Sequence, residues 1–270
     1  MLDLLDIYKN EYGYTKKKFG QHFLTSRHTI DDIAQSLADA ECKNVVEIGP
    51  GCGVLTIAML EKGVGVTSVE IDEDLAKFLP RYLFIYPKFK LIHSDFMLIE
   101  ESQLPEGKLA FAGNLPYNVS VEILMHCVKF FHRIEKMTFM FQKEVADRIN
   151  AKPNCKEYSS LSVISSYFFT MKKLKEISGG QFWPNTKVRS TVLEFYPRER
   201  HFDLEREKRF LSMVRSSFVL KRKTLKNNLM KSIENIEEIL EKAGLAQNIR
   251  GEQMTLADFI HLFETYDAQH

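Results

Sequence analysis

The sequence lacks the features that mark a membrane-spanning or secreted protein. Nowhere do about 18 apolar residues follow one another, which is the length that a transmembrane helix needs. The N-terminus carries Asp3 and Asp6 where a secretory signal has basic residues followed by an apolar run. We therefore expect a cytoplasmic protein that makes no membrane contact.

Cysteine is equally scarce, and its placement excludes two further classes of protein. The four cysteines lie far apart and form no C-x-x-C pair: Cys42, Cys52, Cys127 and Cys155. Such spacing provides no disulfide framework and argues against a structural zinc site. We expect reduced cysteines and no bound metal.

A large net charge is also missing, because 37 basic residues balance 36 acidic ones and leave +1. The charges are nevertheless distributed unevenly. Residues 206–231 contain nine basic residues and one acid, whereas residues 232–270 contain eight acids and two basic residues. Binding depends on where charge sits, so the neutral total does not exclude a nucleic acid. The basic segment is either a solvated helix face or a phosphate-binding surface, and the density of cations favours the second.

Apolar runs of strand length alternate with segments of helical periodicity through the first two-thirds of the chain. After a polar leader, Ser26 caps a first helix. The predicted strands cover residues 44–48, 65–71, 89–93, 109–113 and 136–141. The predicted helices between and after them cover residues 54–61, 73–85, 119–131, 143–150 and 160–168. Strands that alternate with helices imply parallel pairing through crossovers, so we predict a doubly wound, Rossmann-like α/β sheet.

The pattern changes near residue 171. Two strand-like runs over residues 171–177 and 188–196 bracket a Gly179-Gly180 turn region, which predicts an antiparallel pair at the sheet edge. Beyond Pro197 the periodicity is helical only. We therefore predict an α/β domain over residues 1–200 and a small all-α domain over residues 201–270.

A glycine-rich turn follows the first predicted strand. The segment Glu47-Ile48-Gly49-Pro50-Gly51-Cys52-Gly53 lets the backbone approach a ligand closely. Position 54 is Val, so the spacing is not G-x-G-x-x-G and a dinucleotide site is disfavoured. An E-x-G-x-G-x-G turn suits S-adenosylmethionine, whose amino-acid tail carries no phosphate. A tight β–α connection without a ligand is the alternative.

Two acids shift the balance towards this cofactor. Glu70 follows the second strand about 20 residues after the turn, where a carboxylate reaches ribose hydroxyls in doubly wound folds. Asp95 follows the third strand, where a side-chain acceptor can bind the adenine amine of the cofactor. Each acid alone is more often a helix cap. The glycine turn, Glu70 and Asp95 together, however, place three candidate ligand contacts at the ends of successive strands, which rarely happens by chance. We predict cofactor contacts from Gly49, Gly51, Glu70 and Asp95.

The tetrapeptide Asn114-Leu115-Pro116-Tyr117 follows the fourth strand and so projects into the same crevice. An exocyclic aromatic amine is a poor nucleophile because its lone pair is delocalised into the ring. The Asn114 side-chain oxygen and the Leu115 carbonyl can accept both amine hydrogens and turn the lone pair towards the methyl donor. Tyr117 offers a stacking face to an unpaired or flipped adenine. The alternative interpretation is that the tetrapeptide is a turn without a catalytic role. The glycine-rich cofactor turn predicted at the same sheet edge favours the catalytic interpretation.

With these and later motifs, the sequence resembles the small-subunit (16S) rRNA adenine dimethyltransferase family, of the bacterial KsgA type, over nearly the whole chain. Besides the glycine turn and the tetrapeptide, the matching segments are residues 19–24 (FGQHFL), 69–72 (VEID), 95, 141–146 (FQKEVA), 182–190 (FWPNTKVRS) and 222–227 (RKTLKN). The resemblance implies S-adenosylmethionine-dependent dimethylation of two adjacent adenosines in the 3′-terminal hairpin of 16S rRNA. It also implies an immature small ribosomal subunit as the partner, during ribosome biogenesis, and a monomeric enzyme.

The same resemblance assigns further residues. It implies that His22, Leu24 and Asn114 contact the cofactor and that Phe182 covers the second face of the target adenine opposite Tyr117. One departure is that His22 stands where Asn is usual. Without the resemblance, packing of an edge hairpin is the favoured role for Phe182.

With RNA as the implied partner, the basic segment becomes an RNA-binding surface and residues 201–270 the RNA-binding domain. Residues 1–200 become the methyltransferase domain. The predicted RNA contacts are Lys221, Arg222, Lys223 and Lys226.

Two alternatives stay open. The related large-subunit rRNA adenine methylase, which confers macrolide resistance, shares the cofactor fold and usually carries Ile where this chain has Leu115. A non-catalytic ribosome-assembly relative would keep the fold without the reaction. The N-terminal FGQHFL motif and the RKTLKN motif favour the small-subunit type, and the intact Asn114, Pro116, Tyr117 and Glu70 favour catalysis.

Overall fold

The computed structural model describes residues 3–16 and 20–269 of the chain. The chain forms two compact units, one of Met1–Ala146 with Met171–Pro197 and one of Asp147–Thr170 with Arg198–His270. This division differs from the predicted domains, because residues 147–170 belong to the second unit although they precede the last strands of the sheet. Phe19 of the FGQHFL motif lies outside the described residues.

Strands fill the first unit at short, regular intervals. They are β1 (Phe23–Leu24), β2 (Asn44–Ile48), β3 (Gly65–Glu70), β4 (Phe89–His93), β5 (Leu109–Asn114), β6 (Ile134–Gln142), β7 (Phe169–Ile177), β8 (Phe182–Trp183) and β9 (Ser190–Pro197). Seven of them form one sheet in the order β4-β3-β2-β5-β6-β9-β7. The strands from β4 to β6 in this order pair in parallel, and β9 runs antiparallel to β6. The predicted doubly wound sheet is confirmed.

Helices connect the strands and make up most of the second unit. They are α1 (Leu4–Glu11), α2 (Arg27–Ala38), α3 (Val54–Glu61), α4 (Glu73–Leu83), α5 (Ser120–Cys127), α6 (Lys143–Ile149), α7 (Ser160–Phe168), α8 (Leu204–Ser216), α9 (Leu225–Leu229), α10 (Ile236–Lys242) and α11 (Leu256–Asp267). Within the described ranges, none is both long and apolar enough to span a membrane.

The parallel register fixes where the connections lie. Val45 of β2 pairs with Val66 of β3 and with Ala110 of β5, so the three strands run level with one another. Parallel strands end at one edge, and ligands of open α/β sheets bind in the crevice beyond those ends. The segments that follow β2, β3, β4 and β5 therefore meet at this edge.

The N-terminal leader contains a helix that the sequence analysis did not predict. In α1, the Asp3 side chain accepts a backbone N–H at the helix start, and Leu4, Leu5 and Tyr8 are buried. Short amphipathic helices obtain most of their stability from such packing rather than from intrinsic propensity. The leader is thus part of the hydrophobic core of the first unit.

A second, two-stranded sheet joins two segments that are distant in the sequence. In it, β1 pairs antiparallel with β8, so that Phe23 lies opposite Trp183 and Leu24 opposite Phe182. The rings of Phe23 and Trp183 stack with centroids 6.1 Å apart. This pairing attaches the FGQHFL motif to the segment that contains the FWPNTKVRS motif.

The second unit has its own aromatic core. Phe210 of α8 and Phe263 of α11 are fully buried, and Tyr167 of α7 packs 5.0 Å from Phe210 between ring centroids. Phe202 closes the cluster at 5.0 Å from Phe263. Buried aromatic side chains contribute large apolar areas, which explains how a small helical unit holds a compact core.

Candidate active site

A cavity of about 290 Å³ opens at the carboxyl ends of the parallel strands in the first unit. This is near the lower end of the volumes found for small-molecule sites, roughly 300–1,000 Å³. Nearly all the predicted site residues of this unit line it: His22, Leu24, Gly49, Gly51, Glu70, Asp95, Asn114, Leu115, Pro116 and Tyr117. One edge of the sheet thus brings together residues spread over almost a hundred positions of the chain.

The floor of the cavity is the glycine turn between β2 and α3. Gly49, Gly51 and Gly53 all have positive φ, at 65°, 57° and 86°. A Cβ atom at Gly51 would lie 2.7 Å from the Phe23 ring, so only glycine lets the FGQHFL motif pack against the turn. The turn needs glycine for its own conformation and for this contact.

Two carboxylates line the rim at successive strand ends. Glu70 is 4% exposed, and its Oε1 accepts a hydrogen bond from the Asp72 backbone N–H at 2.8 Å. Burial raises the pKa of Glu70 to about 7, although backbone N–H groups oppose the shift. Asp95 is half-buried and accepts from the Met97 backbone N–H at 2.9 Å, which caps a short 3-10 turn. Both residues line the cavity.

A third carboxylate was not among the predicted contacts. Glu47 of β2 is 1% exposed and lines the cavity, and its Oε2 accepts hydrogen bonds from Thr56 Oγ1 at 2.6 Å and Ser68 Oγ at 2.9 Å. Burial raises the pKa of Glu47 to about 7 despite these two donors. The signal in the sequence was the Glu of the E-x-G-x-G-x-G turn, an acid inside an otherwise apolar strand.

The charge of this cavity selects the chemistry of its ligand. Three carboxylates line it, and none of its described lining residues is a lysine or an arginine. A phosphate-bearing dinucleotide would find no cationic side chain there, whereas a ligand with an ammonium and a sulfonium group would find three acids. The cavity therefore fits S-adenosylmethionine, with its positive charges, ribose and adenine.

An ion-pair cluster holds the N-terminal segment beside the cavity. Lys16 Nζ lies 2.5 Å from Asp72 Oδ1 and 2.6 Å from Asp74 Oδ2, and Gln21 Nε2 donates to Asp72 Oδ2 at 2.7 Å. Burial alone would raise the pKa of Asp72, but hydrogen bonds from Lys16 and Gln21 outweigh it and the pKa is lowered. The Asp72 backbone also contacts Glu70, so this cluster links the N-terminal segment to the rim carboxylate.

Asn114 ends β5 with its side chain held in one orientation. Its Nδ2 donates to the backbone carbonyl of His22 at 2.8 Å, which leaves Oδ1 as the group able to accept from a ligand. The preceding residue must be glycine for steric reasons, because a Cβ atom at Gly113 would lie 2.7 Å from the Ile48 carbonyl oxygen. The sheet thus places an oriented amide acceptor at the cavity wall.

Tyr117 is fixed by a hydrogen bond and an aromatic neighbour. Its hydroxyl lies 3.2 Å from Ser190 Oγ, and its ring is nearly parallel to that of His22, with centroids 6.2 Å apart and planes inclined by 20°. The Pro116 carbonyl accepts from the Val119 N–H at 3.2 Å and closes the turn that carries the tyrosine. The ring is half-buried and lines the cavity.

Phe182 is not in the cavity lining. Pairing of β8 with β1 turns its ring into the hydrophobic core, where it is 1% exposed. A contact with a substrate base would require this ring to leave the core. Its role opposite Tyr117 therefore stays a prediction, and the structure by itself gives the ring a packing role.

The basic segment of the second unit divides into paired and unpaired cations. Lys226, which was predicted to bind RNA, forms an ion pair with Glu237 instead of standing alone. Lys221, Arg222 and Lys223 are exposed, and among the described residues none of them lies within ion-pair distance of an acid. We refer to these three residues as the basic loop; it lies between α8 and α9, and Thr224 after it caps α9.

Comparison with known proteins agrees with these features. The family described as ribosomal RNA adenine dimethylase matches residues 14–268. Ribosomal RNA small subunit methyltransferase A of Clostridium botulinum is 38% identical over 261 residues, which cover 93% of this chain and 94% of that protein.

Two solved structures share the fold. The 23S rRNA methyltransferase ErmE superposes with a TM-score of 0.72 at 28% identity and covers 91% of this chain and 99% of its own. A dimethyladenosine transferase from Plasmodium falciparum superposes with a TM-score of 0.78 at 21% identity, over 92% of this chain and 98% of its own, and supports the fold alone. Because the family match spans nearly the whole sequence, the chain belongs to the ribosomal RNA adenine dimethylase family.

Proposed function

We propose that this chain, an S-adenosylmethionine-dependent rRNA adenine dimethyltransferase, methylates two adjacent adenosines in the 3′-terminal hairpin of 16S rRNA. The observation that carries the proposal is that one cavity is lined both by Glu47, Glu70 and Asp95, which we call the acidic rim, and by residues 114–117. A methyl donor and a target amine must share one site for in-line transfer, and positioning of this kind supplies a large part of the rate enhancement.

The cofactor supplies an electrophilic methyl group on a positively charged sulfur. We assign Glu70 to the ribose hydroxyls and Asp95 to the adenine amine of the cofactor, since Glu70 ends β3 and Asp95 follows β4 at the ligand edge of the sheet. Gly49 and Gly51 let the backbone approach the amino-acid tail. His22 and Leu24 line the same cavity and are assigned to the cofactor on the family pattern.

The target amine is assigned to Asn114 and its neighbours. Asn114 Oδ1 and the Leu115 carbonyl accept the two amine hydrogens, so the nitrogen becomes tetrahedral and its lone pair, localised on the nitrogen instead of delocalised into the ring, points at the methyl group. Pro116 makes the turn rigid, and Tyr117 offers a stacking surface worth about 1–3 kcal/mol for one base. The base must leave its stack to enter such a site.

The RNA substrate is assigned to the small subunit. The relative from Clostridium botulinum bears that name at 38% identity, whereas the similar 23S rRNA methyltransferase structure is 28% identical. We further propose that a monomer acts on immature subunits in the cytoplasm. The intact Asn114 amide and acidic rim disfavour a non-catalytic assembly factor.

Substitution of Asn114 by alanine tests the catalytic assignment. The change removes the Oδ1 acceptor and the hydrogen bond to His22, so we expect methyl transfer to small-subunit RNA to fall by about 10²–10³ while RNA binding persists. Transfer of labelled methyl groups under single-turnover conditions measures the effect. Asn10→Ala, at an exposed position of α1 outside the cavity lining, is the matched control and should retain transfer. Full activity of Asn114→Ala would refute the assignment.

Proton release on cofactor binding tests the acidic rim. Burial raises the pKa values of Glu47 and Glu70 to about 7, and a cationic ligand bound beside them lowers both pKa values by favouring the ionised forms. Binding therefore releases protons near pH 6.5, and affinity rises as pH increases towards 7 and levels off above it, by about tenfold per pH unit for each coupled proton. Calorimetry in two buffers of different ionisation enthalpy counts the protons.

In this measurement, Glu70→Gln should reduce the number of protons released on cofactor binding and should weaken the pH dependence of the cofactor affinity. Glu73→Gln is the control, because Glu73 is exposed and paired with Lys77 rather than with the cavity. Binding heats that do not depend on the buffer would contradict the coupling of Glu47 and Glu70 to cofactor binding.

Charge reversal of the basic loop tests the RNA surface. Lys221→Glu, Arg222→Glu and Lys223→Glu together should weaken RNA binding. They should also reduce the steepness of the plot of log binding constant against log salt concentration by about 2–3, because three phosphate contacts are lost. The matched control reverses Lys77, Lys173 and Lys242, which are similarly exposed, lie outside the basic segment and pair with acids three or four residues away in the sequence. Equal salt slopes in the two triple variants would exclude the basic loop as a phosphate-binding surface.

A further inference from the structure

Two aliphatic side chains lie in solvent directly before the basic loop. Val219 is 72% exposed and Leu220 is 49% exposed. We refer to these two residues as the aliphatic pair. Burial of apolar surface against a partner is favourable, and neighbouring exposed apolar residues can therefore mark a binding surface. The aliphatic pair is a candidate contact surface of the second unit.

The neighbouring charge distinguishes the aliphatic pair from other exposed apolar residues. Phe84–Ile85 and Met97–Leu98 are also consecutive and exposed, but neither is followed directly by basic residues. The aliphatic pair is followed at once by the three cations of the basic loop. Apolar and positively charged groups thus share one short segment of the chain, between α8 and α9.

The backbone that carries the aliphatic pair is held by hydrogen bonds and by packing. Asn228 Oδ1 accepts from the Leu220 N–H at 2.8 Å, and Asn228 Nδ2 donates to the Leu220 carbonyl at 3.3 Å. The Lys223 N–H donates to the same carbonyl at 2.9 Å and closes a turn. Just before the pair, the Phe218 ring packs against Phe259 with centroids 5.8 Å apart. A segment held in this way loses less conformational entropy when it binds a partner.

The composition of this segment favours a base-paired RNA as its partner. Single-stranded RNA is recognised largely by stacking of its bases on aromatic rings, and residues 219–223 contain no aromatic residue. An RNA helix instead displays a wide, shallow minor groove with riboses and base edges on its floor. Aliphatic side chains fit the C–H surface of those riboses, and adjacent cations reach the phosphates that border the groove.

We propose that the aliphatic pair packs into the minor groove of an RNA helix while the basic loop binds the phosphates at its border. The proposal rests on the proposed function, because RNA is the partner assigned there, and it names the form of RNA that this surface recognises. The basic loop supplies the salt-dependent part of binding. The aliphatic pair supplies a part that salt does not screen, because it carries no charge.

The test is binding to under-methylated small subunits as a function of salt concentration. Val219→Ser together with Leu220→Ser should weaken binding by about tenfold at every salt concentration, because apolar contact is lost. The plot of log binding constant against log salt concentration should keep its native slope, because no phosphate contact is lost. Charge reversal of the basic loop changes that slope, so the two variants separate the two contributions.

Two further variants serve as controls. Phe84→Ser together with Ile85→Ser makes the same kind of change at an exposed apolar pair of the first unit and should bind like the native chain. Val219→Ile together with Leu220→Met keeps the aliphatic character of the pair and should also bind like the native chain. Because the substituted side chains are exposed, thermal unfolding of the serine variants should match that of the native chain closely.

Photochemical crosslinking identifies the partner directly. A benzophenone amino acid in place of Leu220 should crosslink on irradiation to a base-paired segment of 16S rRNA in the small subunit. The same amino acid in place of Phe84 should give no such crosslink.

Native affinity of Val219→Ser with Leu220→Ser would overturn the proposal. So would a crosslink from position 220 to a ribosomal protein or to unpaired RNA, or no crosslink at all. In each of these cases the proposed function stands if the native chain dimethylates the two adenosines. If the native chain methylates no adenosine of the small subunit, the proposed function itself is wrong.

Discussion

The level, parallel register of β2, β3, β4 and β5 is the constraint on which the site depends. Each strand contributes its own following segment, and none of these segments holds a ligand alone. Because Val45 lies opposite both Val66 and Ala110, the glycine turn, Glu70, Asp95 and Asn114 arrive at one edge. A shift of one residue in any pairing would turn a strand's side chains to the opposite face of the sheet and remove its contribution.

The two units differ in the charge of their candidate binding surfaces. The cavity of the first unit carries three carboxylates and, among its described lining, no lysine or arginine, which suits a cationic methyl donor. The second unit exposes Lys221, Arg222 and Lys223, and no acid of the described part of the chain lies within ion-pair distance of them, which suits the phosphates of RNA. A net charge near zero conceals this division, since acids and bases cancel in the sum but not in space.

Much of this arrangement is readable from the sequence, for a physical reason. Strands buried on both faces read as continuous apolar runs, and the predicted strand over residues 44–48 and helix over residues 54–61 match the structure residue for residue. Local sequence patterns do not predict the position of a segment in the fold when contacts with residues distant in the sequence determine that position. Residues 147–170 join the second unit through contacts such as the hydrogen bond from Tyr158 to the Met254 carbonyl, which sequence spacing does not reveal.

Similar reasons explain the other differences. The predicted helix over residues 119–131 ends at Cys127 and is followed by a 3-10 segment over Val128–Arg133, inside which Phe130 has non-helical dihedral angles of φ −96° and ψ 16°. Helical periodicity does not register such a change. The pairing of Lys226 with Glu237 and the burial of Phe182 are likewise products of tertiary packing.

The most direct measurement maps the methylated bases. Under-methylated small subunits and, separately, large subunits are incubated with the protein and S-adenosylmethionine, and primer-extension arrest locates dimethylated adenosines. The account predicts arrest at two adjacent adenosines in the 3′-terminal hairpin of 16S rRNA and none in the large subunit. Arrest in large-subunit RNA, or none in the 16S hairpin, would contradict it.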